Sequence, residues 1–533
     1  MFKMGKNWVI ISFVLAVSLS NILPFVIQSS NDQVFIGISY NVVDTNTYLS
    51  FMKQAGEGHF LFSNKYSPES IPYIIFNPVY LLIGWLAYFI GSIAAYYLAK
   101  ISFLIIFIYL VGKLLELSVR KEELPIAYFF VLFGSGIGWI LVLLSKIGFK
   151  QYGSIDLWLS ESNSIVMNIA PVHMVISVCL MMAIVICYYK FWETKSKSYF
   201  ITFSFLTLLL GFIHLFDVIT LIIAFGIYSF WRIISKKGDF MDIIKYNLIY
   251  GLIISPSFFY TYRLFAANSL IAAWNAQNLL PSPKLTHIIF GFFLPILFAI
   301  VYFIYKMFNK IKFSSVEVIL FSWIISGILL LYSPFNIQRR FIEGLNVPIM
   351  ILGSLGFART FLPQFQRRFY QITKLKIPKG VFVGLICAII MPTSLYWIYE
   401  INSNVKPYVQ IDDYDVPYYL DKSELEALNW LRSNTNTEEV VLSSYGIGNY
   451  IPRISGNRVF LGHWAQTIDF NNKKQLVNKF YSTNDESFKK KLIQDYSIDY
   501  VYYGVEEKKL GTFTPVDMKK VFENDKVMIF KVN

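Results

Sequence analysis

SYNVVDTNTYLSFMKQAGEGHFLFSNKYSPESIPYIIFNP, residues 39–78, is the stretch whose reading decides the fold. It is a polar segment holding Asp44, Tyr48, Glu57, His59 and Glu69 in a chain that is otherwise strongly apolar. On either side of it, from Trp8 to Tyr399, apolar runs recur at a length of about 20 residues, enough to span a bilayer core. In lipid such a run must satisfy its own backbone groups, so each reads as a helix. The polar stretch is then a loop that the surrounding helices hold at one membrane face.

Working outward, spans are expected at 8–28, 93–115, 124–148, 165–189, 199–216, 217–235, 243–263, 287–306, 314–333, 341–362 and 380–399. The first, preceded by Lys3 and Lys6, reads as a retained helix that enters from the cytoplasm, with no cleavage pattern behind it. The apolar run 71–90 decides the sidedness of everything after it. If it crosses, the loops carrying Arg120, Lys121, Lys195, Lys197, Lys236, Lys237, Arg367 and Arg368 face outward. If it lies along the surface, they face the cytoplasm, as the positive-inside rule favours. Pro72 and Pro78 also suit a broken surface helix better than a straight span. The expectation is therefore eleven spans, an outer loop at 29–92 with a juxtamembrane helix at 71–90, and a C-terminal domain on the outer side. Lysine-, asparagine- and isoleucine-rich composition without outer cysteines points to a prokaryotic plasma membrane.

The formal charge of +13 does not mark a nucleic-acid binder. Residues 401–533 hold 17 Lys/Arg against 18 Asp/Glu, so the excess sits in the short loops of residues 1–400, where it encodes topology. Cys179, Cys187 and Cys387 all lie in apolar runs, which excludes an outer disulfide framework and a cysteine metal site.

From 401 the character changes. KSELEALNWLRSN has helical spacing, with Leu425, Leu428 and Leu431 on one face. VVLSS, RVFLG, DYVYYG and KVMIFKV read as strands, with helical segments near 473–480 and 485–494 between them. Alternating strands and helices suggest an α/β domain over 401–533, and about 130 residues can support a core. The membrane domain is 1–400.

Several residues carry candidate chemistry. Asp44 can act as a general base on an acceptor or steer a cation, although Asp followed by Thr-Asn-Thr-Tyr-Leu is also helix-capping chemistry. Glu57, His59 and Glu69 share its loop, and surface polarity is their plain alternative. Arg339 and Arg340, in FNIQRRFIEGL, break the charge bias of the other outer loops. Guanidinium forks suit phosphate, so they read as a clamp on a lipid phosphate, with headgroup anchoring or a pair with Glu343 as the other reading. Arg263 stands at another outer span end. His173, beside Pro171, and His214 with Asp217, in the island GFIHLFD between two apolar runs, are polar groups near membrane depth. Such groups are functional candidates, or else satisfied members of a bundle interior. One helix through 199–235 would bury that island in hydrocarbon, so two short helices turning at GFIHLFD are expected. Asp156 and Glu161, in the second outer loop, are candidates with Asp44 for a divalent metal, and no nucleotide cofactor is expected. Trp274, Asn275, Gln277 and Asn278 can stack on and hydrogen-bond a sugar.

These residues resemble the GT-C integral-membrane glycosyltransferases, which include the protein O-mannosyltransferases, the lipid A aminoarabinose transferases and the oligosaccharyltransferase catalytic subunits. The first-loop pattern DTNTYLSFMKQAGEGHFLFSNKYSPES…P…FNPVYLLIG is similar to the family's acidic residue and proline-containing surface helix. QRRFIEGLNVPIMILGSLG resembles a late-span segment of prokaryotic members, and ALNWLRSN, ISGNRVFLGH and IDYVYYG resemble their outer tail. The resemblance implies a polyprenyl-phosphate sugar donor, a glycan, lipid or protein acceptor, inverting transfer on the outer face, and Asp44 as the catalytic acid. Thr45 follows Asp44 where the O-mannosyltransferases have an adjacent Asp-Glu pair, and the tail lacks a WWDYG-type motif. Both departures point away from an oligosaccharyltransferase role. A lipid or glycan transporter or flippase would instead show inverted repeats and broken helices at the midplane. A non-catalytic scaffold of the same fold would leave the arginine pair and the long first loop unexplained.

Overall fold

The structure, a computed structural model, describes residues 5–26, 32–149, 153–266, 268–405 and 416–533. Positions 27–31 and 150–152, at the end of the first expected span, the start of the first loop and within the second loop, lie outside the described residues. The protein is a polytopic α-helical membrane protein with a C-terminal α/β domain. Lys6–Val26, Ser92–Ser118, Val172–Thr194, Leu215–Ile234 and the run Gln338–Thr373 are long and apolar enough to cross a membrane. Three bent pairs raise that number to eight: Leu124–Phe133 with Gly138–Lys146 (51°), Leu285–Gly291 with Phe293–Phe308 (88°), and Lys379–Ile390 with Pro392–Ser403 (41°). The other three of the eleven expected spans are helical but fall outside this set. Lys197–Ile213 and Ser315–Leu331 have 17 residues each, and Phe240–Ala266 carries Asp242, Lys245 and Arg263.

The chain forms two compact units. The first comprises residues 1–21, 100–261 and 279–401, the second residues 22–99, 262–278 and 402–533.

In the first unit the three bends satisfy one another's backbone. A helix that breaks in lipid releases N–H and C=O groups that must find partners in protein. Ser135 N donates to Ile390 O (2.8 Å) and Ile137 N to Phe290 O (3.0 Å), so each break supplies what another lacks. The remaining donors, Gly136 N and Gly138 N, go to the carboxylate of Asp156 (3.0 and 3.3 Å). Gly136 has to be glycine, because a Cβ there would lie 1.9 Å from Phe290 O. Helices Phe293–Phe308 and Asn346–Gly356 cross equally closely: a Cβ on Gly356 would stand 1.9 Å from Phe298 O, and one on Gly353 2.6 Å from Pro295 O. Small residues at such crossings let backbones meet without a hydrophobic driving force.

The second unit contains the polar stretch 39–78. Residues 42–56 form a helix, Val42–Gly56, packed on helix Pro78–Ile90. Tyr48 stacks on Tyr80 with ring centroids 4.5 Å apart, and Gly84 leaves room for Ala55 and Met52. The helix expected over 71–90 begins at Pro78 rather than at 71, because Asn77 caps it (Oδ1 accepts from Val79 N at 3.1 Å) and Pro78 fits the first turn. Residues 71–77 instead run back past Phe62, whose N donates to Ile75 O (2.7 Å).

Strand Gln33–Phe35 pairs antiparallel with Tyr419–Asp421. The C-terminal sheet has five strands in the order Arg458–Val459, Val440–Leu442, Ile498–Tyr503, Met528–Val532, Met518–Glu523. The first three are parallel and the last two antiparallel. The edge strand Met518–Glu523 escapes the sequence pattern because it is mostly exposed and carries Lys519 and Lys520, a way of blunting a sheet edge.

Candidate functional site

Asp44 occupies the third position of helix Val42–Gly56. Asn41, in a left-handed conformation (φ 48°), caps the helix. Its side chain accepts from Asp44 N (3.3 Å), and its Nδ2 donates to Asp44 Oδ2 (2.7 Å). The second carboxylate oxygen, Oδ1, is 2.8 Å from Nε2 of His463. Ala465 N donates to His463 Nδ1 (2.9 Å), so Nδ1 is the acceptor and the ring proton sits on Nε2, aimed at Asp44. The imidazole is buried at 3% exposure, whereas the Asp44 side chain is 35% exposed. A half-exposed carboxylate, oriented by one amide and one imidazole, is therefore presented on a fixed helix end. Arg453 steadies the same helix from below, donating to Asn46 Oδ1 (2.9 Å) and Ile36 O (2.6 Å).

His463 went unrecognised in the sequence. It ends a short strand-like run and has no spacing relation to Asp44, which lies 419 residues away. The other candidate residues of the first loop have partners other than Asp44. Glu57 pairs with Lys53 (2.7 Å), His59 stacks on Tyr73 (centroids 4.1 Å apart), and Glu69 pairs with the buried Lys473 (2.6 Å). Arg263 sits exposed in the last turn of helix Phe240–Ala266.

Trp464, next to His463, opens onto a cavity of about 630 Å³ lined by Gln277, Asn278, Asp469, Phe470 and Asn471. Gln277 Nε2 donates to Thr467 O (2.9 Å) and Asn278 Nδ2 to Ala465 O (3.2 Å), which fixes both amides along its wall. A half-exposed indole beside amides and a carboxylate is a surface on which a sugar ring can stack and hydrogen-bond.

The first unit gathers a second set. The guanidinium of Arg339 lies over the Trp158 ring (5.5 Å to its centroid), and Arg340 Nη1 meets Glu161 Oε1 at 3.3 Å, so the partner of Arg340 is Glu161 rather than Glu343. His214 is the extended residue at which helices Lys197–Ile213 and Leu215–Ile234 part. Its Nδ1 stands 3.3 Å from Asp217 Oδ2 and 3.2 Å from Glu343 Oε1, and the His173 ring packs edge-on against it with centroids 5.0 Å apart.

Of the residues expected to hold a metal, Asp156 has both oxygens occupied, Oδ2 by the Gly136 and Gly138 amides and Oδ1 by Ser154 Oγ. Burial outweighs those hydrogen bonds and pushes its carboxyl up to about 6. Its part is to hold the helix break. Glu161 is spoken for by Arg340 and Ser160 Oγ (3.0 Å).

No protein-family model and no curated protein matches the sequence. Solved structures do. The chain is similar to an oligosaccharyltransferase from Archaeoglobus fulgidus tethered to an acceptor peptide containing the NVT sequon, with 14% identity and a TM-score of 0.53, covering 95% of this chain and 69% of that one. The same archaeal enzyme, AglB, in complex with an inhibitory peptide and a dolichol-phosphate, matches at 13% identity and a TM-score of 0.53, with 94% and 70% covered. ArnT from Cupriavidus metallidurans bound to undecaprenyl phosphate matches over nearly the whole of both chains (99% and 98%), with 10% identity and a TM-score of 0.50. The protein thus has the fold of the GT-C membrane glycosyltransferases. Its length matches that of ArnT, whereas it spans about 70% of the archaeal enzyme.

Proposed function

We propose that this protein is a GT-C-type glycosyltransferase that moves one sugar from a polyprenyl-phosphate-linked donor to a glycan, lipid or protein acceptor at the outer face of the plasma membrane. The observation that carries this reading is the Asp44 carboxylate, held by Asn41 and His463 yet still open to solvent. In the reaction the acceptor oxygen or nitrogen attacks the anomeric carbon from the side opposite the lipid phosphate. Asp44 takes the acceptor proton, the carbon–phosphate-oxygen bond breaks, and the phosphate leaves on its lipid with both electrons of that bond. A single displacement inverts the anomeric configuration.

The phosphate-binding role falls to Arg339 and Arg340, whose charge would stabilise the departing group. The bound lipid phosphates of the structural neighbours support such a donor, and the Trp464 cavity supports a sugar-bearing acceptor. The N-terminus is cytoplasmic in this reading and residues 401–533 are extracytoplasmic. Reporter fusions after Lys121, Lys197 and Lys236 then all report cytoplasm, and an outer signal at all three would reverse the sidedness.

The enzymatic test is mass spectrometry of surface glycans and lipids in a deletion strain complemented with the wild type, Asp44→Asn or Arg340→Ala. Loss of the mass of one sugar residue from one glycan, lipid or protein species in both variants is expected, and full rescue by both would sink the mechanism.

A further inference from the structure

We propose that His214, Asp217 and Glu343 form a divalent-cation site inside the first unit. The site is separate from the Asp44 chemistry and does not depend on the glycosyltransferase reading. Among the described residues these three form a group whose ligand atoms, one imidazole nitrogen and two carboxylate oxygens, lie within 4.8 Å of one another. Two of the separations are much shorter: His214 Nδ1 is 3.2 Å from Glu343 Oε1 and 3.3 Å from Asp217 Oδ2. Ligands about 2.0–2.1 Å from a tetrahedral zinc stand roughly 3.3 Å apart, so His214 already stands at ligand spacing from both carboxylates.

The hydrogen bonding points the same way. A neutral imidazole offers one proton at Nδ1, and two carboxylate oxygens face it. Ser177 Oγ donates to Glu343 Oε1 as well, yet among the described residues Glu343 Oε2 and Asp217 Oδ1 are buried without a hydrogen-bond partner. Asp217 is 0% exposed and Glu343 1%. Two acids this deep in an apolar bundle, each with an oxygen left over, fit the rule that buried charges are paired or coordinate a metal. Arg340, whose charge attracts Asp217, is itself engaged with Glu161. One nitrogen and two carboxylates form a mixed donor set suited to a borderline cation such as Mn²⁺ or Zn²⁺.

The site would tie three pieces of chain together: the break at His214, the first turn of Leu215–Ile234, and the short helix Gln338–Ile342, which bears Arg339 and Arg340 and ends at Glu343. A cation there would stiffen the arginine pair from behind.

The test uses the full chain in lipid nanodiscs, stripped with chelator and titrated with Mn²⁺ alone under electron paramagnetic resonance, with Zn²⁺ as competitor. About one saturable Mn²⁺ per chain is expected, displaced by Zn²⁺. Its affinity should fall at least tenfold in Asp217→Asn and Glu343→Gln, less in the charge-retaining Glu343→Asp, and not at all in Asp44→Asn. The midpoint of thermal unfolding should rise on adding Mn²⁺ to wild type but not to Glu343→Gln. A wild-type chain that takes up no saturable Mn²⁺ overturns the proposal whether or not the variants fold, as does binding lost in Asp44→Asn but kept in Glu343→Gln. The first result would leave the cluster a shared-proton site.

Discussion

His463 is the residue whose replacement tests the proposed catalytic arrangement most sharply. Its Nε2–H donates to Asp44 at 2.8 Å, and the backbone of Ala465 fixes the tautomer that makes this possible. A hydrogen bond to a charged group contributes about 1.5–3 kcal/mol. If that interaction orients the carboxylate for proton transfer, its loss lowers turnover by roughly 10- to 150-fold at 1.36 kcal/mol per factor of ten. His463→Phe keeps the ring volume but loses the donor, whereas His463→Gln keeps an N–H near the same place. The assay follows sugar transfer in nanodiscs, using the lipid-linked donor pool extracted from the host, alongside surface-glycan yield in complemented cells. The expected pattern is a large fall in kcat for His463→Phe with little change in acceptor KM, and substantial recovery in His463→Gln. Thermal melting of both variants checks that the fold persists. The reasoning is refuted if His463→Phe turns over like wild type while Asp44→Asn is dead. Equal impairment of Phe and Gln in a folded protein would refute the orienting role too, because a contact that only fills space does not distinguish them by hydrogen bonding.

Three further outcomes follow from packing and charge. Asp156→Ala strands the amides of Gly136 and Gly138, each left-over buried group costing about 1–3 kcal/mol; thermal unfolding in nanodiscs should show a strong loss of stability, with Asp156→Asn intermediate. Gly356→Ala would push a methyl to 1.9 Å from Phe298 O, so the crossing of Phe293–Phe308 and Asn346–Gly356 must open; yield and melting temperature should both drop, consistent with an overpacking cost of about 1–3 kcal/mol or more. In the C-terminal domain, burial and the neighbouring Glu506 and Glu507 raise the Glu424 carboxyl to about 8, and burial raises Glu507 to about 7. Acids that hold protons more tightly folded than unfolded contribute stability below the unfolded value near 4.5, and that contribution is lost as pH rises toward 7–8. Melting temperature should therefore fall between pH 5 and pH 8.5, and less steeply in Glu424→Gln; an identical slope in the variant would remove Glu424 from the account.

Much of the architecture could be read from local pattern. Among the described residues each expected span overlaps a helix or a bent helix pair, with 165–169 set apart as a short helix before Pro171, because apolar length over about 20 residues is a property of neighbours in sequence. The break at His214 was legible because a His and an Asp interrupt two apolar runs, and KSELEALNWLRSN announced helix Lys422–Asn434 through its spacing. The bends were harder. Gly134 and Gly136 are visible, but that three breaks would satisfy one another, with Asp156 closing the amides of Gly136 and Gly138, depends on bonds such as Ser135 to Ile390 and Ile137 to Phe290 between distant chain segments. Asp156 looked like a metal candidate for the same reason: an acid in an outer loop shows its charge but not its partners.

The sequence by itself determined that this chain lives in a membrane and that residues 39–78 form a polar feature between spans, and it offered helix capping as one reading of Asp44. Each follows from hydrophobic length or from capping chemistry within a few residues. Only the tertiary structure decided which groups meet. It brought His463 to Asp44, turned Arg340 toward Glu161 rather than Glu343, and gathered Glu343 with His214 and Asp217. Hydrogen bonds and ion pairs act over about 3 Å, and which side chains come that close is settled by packing between distant segments, which leaves no periodicity in the chain.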